Sequence, residues 1–376
     1  MTRAAAVPQS VAAAVPQSVA DAHSISKAEC APGHAFNLFF ELWNPADWSI
    51  DDVPAAKAVA LGKVLSLPQH SNDMLQAIVA RQEQIKITDE VLKVHAEAIS
   101  PFATGLGIEH PTENGFAFLN PYGLPYLAGS GVKGVLRKAA EDKAADVSDE
   151  LKPEHVELLF GTDNQGPGFE QAEPIELRRG ILTFWDVFPV PRSEAVAGGK
   201  GPALFRIDIM TPHHTGYLQK GKTPSDSESP IPIPFLAIEP GSLFNFAVTC
   251  QTHRFTEDML PRPWKVIVES LFHDAFAWLG FGAKTAVGYG AMKNVTESRG
   301  SKWVDGQIAE ISRKPGVAVR DVLFGKLLAA TWAEIPDLAT KASARAYIKQ
   351  KWGKSWDEQL RGARRDARKN YGDDPG

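Results

Sequence analysis

The segment 264–290, WKVIVESLFHDAFAWLGFGAKTAVGYG, constrains the fold more than any other part of the chain. Val266, Ile267, Leu271, Phe272, Ala275, Phe276 and Leu279 recur at helical spacing and predict a buried amphipathic helix. Four glycines follow at positions 280, 282, 288 and 290, and AVGYGAMKNV then reads as a last strand. Between helix and strand lies a flexible backbone able to approach another group closely, with one fixed charge, Lys284. It is not a nucleotide loop of a familiar kind. A P-loop needs glycine just before its lysine and again five residues earlier, where this chain has Ala283 and Trp278. A dinucleotide fingerprint starting at Gly280 needs glycine at 285, which is Thr285.

The rest of the chain must say what the loop approaches. Its 376 residues suggest two or three domain-sized units, or one domain with large insertions. Cys30 and Cys250 are the only cysteines, too few for a disulfide framework or a metal cluster, which suits a reducing cytoplasm. A net charge of −5 argues against a sequence-independent cationic coat. A local basic patch does exist: residues 341–370 carry ten Lys/Arg against three Asp/Glu. Residues 4–11 and 12–19 are a perfect tandem copy, AAAVPQSV, which reads as a flexible tail within 1–25.

Residues 26–100 read as a helical extension. SNDMLQAIVARQ opens on a cap-like Ser71-Asn72-Asp73, and TDEVLKVHAEAIS places Val91, Leu92 and Val94 as a further helix. The texture changes at 101. FATGLGI is a short apolar strand, HPTENGFAFLNPYGLPYLAGSG is rich in turns, and VKGVLRKAAEDKA is a helix over about 131–144. ILTFWDVFPV (181–190), LFRIDIM (204–210), FLAI and LFNFAVTC supply strand patterns, with a Gly/Pro/Ser-rich protruding loop at 211–234. The order predicts an α+β, ferredoxin-like β-α-β-β-α-β core over 101–300 with large insertions. A basic helical region, 301–376, follows.

GLPYLAGSGVKGVLR (123–137) is the second informative stretch. Small residues lead into a helix, Ser130 is a plausible N-cap, and Lys133 and Arg137 share one face. A glycine-flanked helix N-terminus is an anion site, and a first-turn lysine opposes the helix dipole unless an anion is present. A capped surface helix with a solvated lysine is the plainer reading.

At these residues the chain resembles a family. PYGLPYLAGSGVKGVLR resembles the Pro-Gly-Ser-Ser-Leu-Lys-Gly segment of the RAMP superfamily, the CRISPR-associated RNA-binding proteins. GFGAKTAVGYG resembles the glycine-rich loop that they carry after their second core helix. ENGFAFLNPYGLPY, LLFG (158–161), GILTFWDVFP, DIMTPHHTGY and PIPIPFLAI narrow the resemblance to the sixth-subunit family of type III-B Cmr effector complexes, over about 101–295. The resemblance implies an RRM-like core, no cofactor, and a ribonucleoprotein role in antiviral defence, at the head end and on the 3′ part of the guide RNA (crRNA). The implied partners are guide RNA, target RNA, the backbone subunit and a neighbouring head subunit. The RNA-contacting residues it implies are Gly129, Ser130, Gly131, Lys133, Arg137, Gly282, Lys284, Thr285, Gly288, Tyr289 and His214. There are departures. Ala128 replaces the usual proline, Gly131 stands where serine is frequent, and Ala286 and Val287 stand where some relatives have arginine, so backbone amides would carry more of the grip.

Some RAMP proteins cut RNA, and His213 or His214 with Asp208 could serve as general acid and base. Adjacent histidines in a strand face opposite sides, however, so at most one could serve a given site. The resembled subunit is a non-catalytic one. The enzyme alternative is a metal-independent endoribonuclease using His213 or His214, and a third reading is a protein-only scaffold. Phe184, Trp185, Phe244 and Phe246 read as core, whereas Tyr122, Tyr126 and Tyr217 lie in glycine-bearing loops and suit base stacking. Ile348, Trp352, Trp356 and Leu360 form one apolar stripe on a basic helix that could dock on a partner or contact phosphate.

Overall fold

The computed structural model describes residues 30–42, 49–50, 53–65, 67–85, 88–162, 178–191, 204–211, 232–295, 304–310, 313, 344 and 347. Its helices are α1 (Pro32–Asn37), α2 (Pro54–Gly62), α3 (Gln69–Glu83), α4 (Gly129–Ala145), α5 (Pro153–Phe160) and α6 (Trp264–Asp274). Helix α6 runs on as a π-helical turn, Ala275–Leu279. The strands are β1 (Val91–Ala98), β2 (Phe118–Leu119), β3 (Leu124–Pro125), β4 (Leu182–Phe184), β5 (Pro189–Val190), β6 (Phe205–Met210), β7 (Ile233–Ile238), β8 (Leu243–Cys250) and β9 (Met292–Asn294).

The main sheet is antiparallel, in the order β4–β8–β1–β9, with β5 pairing further along β8. Strands β6 and β7 form a separate hairpin, in register from Phe205↔Ile238 to Met210↔Ile233, against which α2 packs. One face of the main sheet carries α4, α5 and α6. The alternate residues Phe244, Phe246 and Val248 of β8 are buried there. Phe246 meets Phe272, Phe276 and Phe281 with ring centroids 5.2, 5.8 and 5.0 Å apart. Such a cluster contributes roughly 0.5–1.5 kcal/mol per aromatic pair beyond its area burial.

The largest correction to the sequence reading is β1. TDEVLKVHAEAIS was expected as a helix, yet Val91–Ala98 is a central strand paired with both β8 and β9. Its residues alternate as a strand's do, with Lys93, His95 and Glu97 on one face and Leu92, Val94, Ala96 and Ala98 on the other, yet both faces are covered. Val94 and Ala96 face the helices across from Phe246 and Phe244. Lys93 and His95 are buried on the other face under the end of α3. The Lys93 ammonium donates to Glu83 O at 2.7 Å, and His95 Nδ1 lies 2.8 Å from Asn245 Oδ1.

Other differences are local. FATGLGI forms only two isolated bridges, Phe102↔Ile238 and Ala103↔Ala283. ILTFWDVFPV breaks into β4 and β5, and the last strand shortens to Met292–Asn294 because Thr285–Val287 is a 3-10 turn. Helix α3 starts after Pro68, so the cap-like Ser71 lies inside it. Val266, expected in the core, is exposed. The tail repeat, nearly all of the 211–234 loop and the basic stretch 341–370 lie almost wholly outside the described residues. No helix among the described residues is long and apolar enough to cross a membrane.

Candidate nucleic-acid interface

The glycine loop is moored to the residues just after β1. Ala283 N–H donates to Ala103 O at 2.7 Å, Gly290 N–H to Pro101 O at 2.8 Å, and Phe281 N–H to Gly290 O at 3.0 Å. This mooring explains two of the glycines. Gly290 has φ 69°, and a Cβ there would overlap the Phe281 carbonyl oxygen. Gly282 has φ 90°, and a Cβ would overlap Ala103 O and come within 2.7 Å of Phe102 Cε2. Gly288 is different. Its φ is 92°, but no heavy atom lies within 4 Å of a Cβ placed on it. It terminates the turn formed by Thr285, Ala286 and Val287, of which Ala286 and Val287 are exposed.

Lys284 adopts a left-handed conformation, φ 60°, unusual outside glycine. Its ammonium lies 5.5 Å from the centre of the Phe235 ring and 3.8 Å from Met210 Sδ, with no carboxylate partner among the described residues. Tyr289 donates its hydroxyl to Asp208 Oδ2 at 2.7 Å. Burial, together with that bond and the carboxylate charge, pushes the Tyr289 phenol up to about 12. The loop is thereby tied to the middle of the β6–β7 hairpin, where Asp208 pairs with Phe235.

At the start of α4 the cap is Ala128, not Ser130, and no side chain of the cap residue closes the helix end. The Gly129 amide is instead taken by Asp186 Oδ1 at 2.7 Å, and Gly131 N–H is used by Ala128 O at 2.8 Å. A carboxylate of the chain itself thus already occupies the positive end of the helix. Gly129 is glycine for packing reasons, since a Cβ would overlap Phe184 O. Ser130 and Gly131 are exposed, and Lys133 is half-buried with no partner among the described residues. Arg137 is committed: its Nε donates to Glu141 Oε1 at 2.8 Å and its Nη1 to Gly161 O at 3.1 Å.

The two motifs are moored at opposite edges of the sheet. Leu127 and Gly129 bond Val187 and Asp186 beside β4 and β5, whereas the glycine loop feeds β9. Three strand spacings of about 4.8 Å separate those edges, roughly 14 Å in all. One phosphate cannot reach both; a strand crossing the end of the sheet can. The π-helical turn that leads into the loop packs against α4, so the two share a helical layer.

The sheet face that an RRM uses for base stacking is partly closed here by the end of α3 over Lys93 and His95. Trp185, expected in the core, is 38% exposed next to the α4 start. Sequence patterning missed it because β4 ends at Phe184 and frees the next side chain. Tyr122 is exposed and Tyr126 packs near Phe188. His213, His214 and Tyr217 lie outside the described residues. Among the described residues no His/Cys/Asp/Glu group could hold a metal ion.

Known proteins give the following likenesses. A sequence profile described as RAMP superfamily matches residues 95–293. The chain is 27% identical over 251 residues to the CRISPR system Cmr subunit Cmr6 of Pyrococcus furiosus, covering 54% of this chain and 70% of that one. It is 29% identical over 204 residues to the CRISPR system CMR subunit Cmr6 of Saccharolobus solfataricus, covering 54% of this chain and 56% of the relative. Among solved structures, a chain of the type III-B Cmr-beta complex bound to cognate target RNA aligns with a TM-score of 0.43 and 21% identity, over 63% of this chain and 69% of that one. The crystal structure of Cmr6 from Pyrococcus furiosus aligns with a TM-score of 0.28 and 21% identity, over 54% of this chain and 97% of that one.

Proposed function

This chain belongs to the RAMP superfamily, and on that premise we propose that it is a non-catalytic RNA-binding subunit of a cytoplasmic type III-B CRISPR (Cmr) ribonucleoprotein. It sits at the head end, holds the 3′ part of the guide RNA, and contacts the backbone subunit and a neighbouring head subunit. Its two Cmr6 relatives support the choice of complex. Counting β1, β4, β8 and β9 as the first to fourth core strands, the order second–third–first–fourth supports a ferredoxin-like core.

The observation that carries the RNA-binding reading is the glycine loop. Most of it is explained by mooring to residues 101–103, yet Gly288 faces open space beside an exposed turn and Lys284, which has no carboxylate partner among the described residues. A backbone-accessible turn with an uncompensated ammonium suits a phosphate. Lys133 supplies the second cation at the opposite edge, so the guide strand crosses between them. Asp208, which a cleavage reading would recruit beside His213 or His214, is already engaged by Tyr289 at 2.7 Å and lies 3.9 Å from Arg206.

The test is reconstitution with guide RNA and sister subunits, comparing the parent chain with Lys133→Ala and Lys284→Ala. Reduced RNA retention in both variants is the expected result, and parental retention in both would refute it. Incubating the pure chain with RNA in the absence of metal should give no cleavage. Cleavage abolished by the His213→Ala/His214→Ala pair would establish the enzyme reading instead.

A further inference from the structure

Helix α6 ends on a departure from regular winding. Ala275–Leu279 is a π-helical turn, closed where Gly280 N–H reaches back to Ala275 O at 2.8 Å. The extra residue in that turn decides where Trp278 points. Trp278 lies seven residues after Leu271, just under two turns of a regular α-helix. Unbroken winding would thus place it on the face of Leu271, which is fully buried. The wider turn packs Leu279 against the core instead and leaves Trp278 84% exposed, more than any other Phe, Trp or Tyr among the described residues. Turns of this kind are rare and recur at functional sites.

The mount of the indole is rigid although its ring stands in water. Asp274, just ahead of the turn, takes the Lys143 ammonium of α4 at 2.8 Å. Phe276, inside the turn, packs with Phe272 and Phe281, each with its ring centroid 5.6 Å away. Gly280, behind it, has φ 71°, and a Cβ there would come within 3.0 Å of Tyr289 O and 3.2 Å of Thr285 Cγ2. A winding defect that turns a large apolar side chain out of the core forfeits its burial, so its use lies in what the ring meets outside.

Position indicates which ligand that is. The π-helical turn packs against α4, which carries Lys133, and opens into the loop that carries Lys284, Thr285 and Gly288. Trp278 is two residues from Gly280, at most about 7.6 Å between Cα atoms, and Thr285 borders Gly280. A base whose phosphate sits at the loop is therefore within reach of the indole. Aromatic faces beside backbone contacts hold single strands without regard to sequence, because every base has a π-face. A protein anchor needs a ring of packed contacts that excludes water, whereas the exposed Gly282 and Gly288 beside Trp278 offer bare backbone.

We propose that Trp278 is a base-stacking platform for one nucleotide of the single-stranded RNA that crosses from Lys133 to the glycine loop. This rests on the RNA-binding reading above, and it adds a contact to a base where Lys133 and Lys284 touch phosphate.

Stacking releases no counterions, so salt dependence separates it from the phosphate contacts. In the complex reconstituted with guide RNA alone, Trp278→Ala should weaken RNA affinity by about 5- to 140-fold, the loss expected for one stacked base. The log–log salt slope should stay parental, whereas Lys284→Ala should make it shallower by about 0.7. Trp278→Phe should keep most of the affinity and Trp278→Leu should not. Because the side chain is exposed, all three variants should melt at the parental temperature. Guide RNAs with a single abasic nucleotide, moved stepwise along the 3′ part, should reveal one position whose penalty in the parent matches that of Trp278→Ala and does not add to it. Parental affinity in Trp278→Ala, equal performance of Leu and Phe, or additive abasic penalties at every position would each refute stacking, while Lys133 and Lys284 still report RNA binding. If Trp278→Ala sheds a protein subunit and the remaining particle binds RNA as before, Trp278 is a protein anchor and the proposal falls. A parent complex that holds no RNA at any salt concentration overturns both readings together.

Discussion

Replacing Gly282 or Gly288 by valine separates a glycine that the fold requires from one that a ligand would require. At Gly282, φ 90° strains any branched residue, and the new Cβ would also overlap Ala103 O and crowd Phe102 Cε2. Left-handed strain costs about 1–3 kcal/mol and overpacking about another 1–3 kcal/mol, roughly 2–6 kcal/mol together. The obstruction is backbone, and it belongs to the bridge that moors the loop, so it cannot swing aside. At Gly288, φ is 92° but the space is empty, leaving only the strain of about 1–3 kcal/mol. The difference, about 1–3 kcal/mol, corresponds to roughly 2–12 °C in melting temperature for a domain of this size. Thermal melting of the full chain should therefore rank parent, Gly288→Val and Gly282→Val in descending order. RNA retention at a temperature where all three are folded should still drop for Gly288→Val, because a side chain would stand where the phosphate approaches. Equal melting of the two variants would refute the mooring of the loop. Parental RNA retention in folded Gly288→Val would refute the open turn as a contact.

Three further outcomes follow from named groups. Lys133→Ala and Lys284→Ala should each weaken guide-RNA binding by about 1.5–3 kcal/mol if their phosphate contacts are partly desolvated, read by retention in the reconstituted complex. Tyr289 has a phenol pushed up to about 12, so its contribution to stability is complete below the ordinary value of 10.0 and is lost as pH rises through about 12. An ultraviolet titration should show one phenol ionising late, and Tyr289→Phe should remove that component and cost about 1–3 kcal/mol in urea unfolding. His110 is packed flat on Phe36 with centroids 3.7 Å apart, and burial holds it below its ordinary 6.5. Its neutral form is the folded one, so stability should decline as pH falls below about 6.5 toward the depressed value; urea midpoints measured on both sides of that window, flattened in His110→Gln, check this.

The sequence by itself determined the elements whose pattern is local. The 3.6-residue period of Ile267, Leu271 and Phe272 yields α6 wherever the helix docks, and small residues before Val132 announce the start of α4. The two motifs and their order also carry the family resemblance, since they are strings of residue types rather than arrangements in space. Tertiary structure alone decided the rest. VLKVHAEA does alternate Lys93, His95 and Glu97 with Val94, Ala96 and Ala98, the two-residue period of a strand, but that β8 and β9 flank it and that α3 closes its polar face over Lys93 and His95 is set only in the folded chain. Which glycines serve the fold and which face open space depends on Ala103 and Phe281, residues brought there only by the mooring of the loop. Asp186 on the Gly129 amide, 57 residues away in the chain, neutralises a helix end that any local reading leaves open to a phosphate. Local periodicity is written in neighbouring residues, whereas burial, charge compensation and close approach are set by partners that the chain meets only once it has folded.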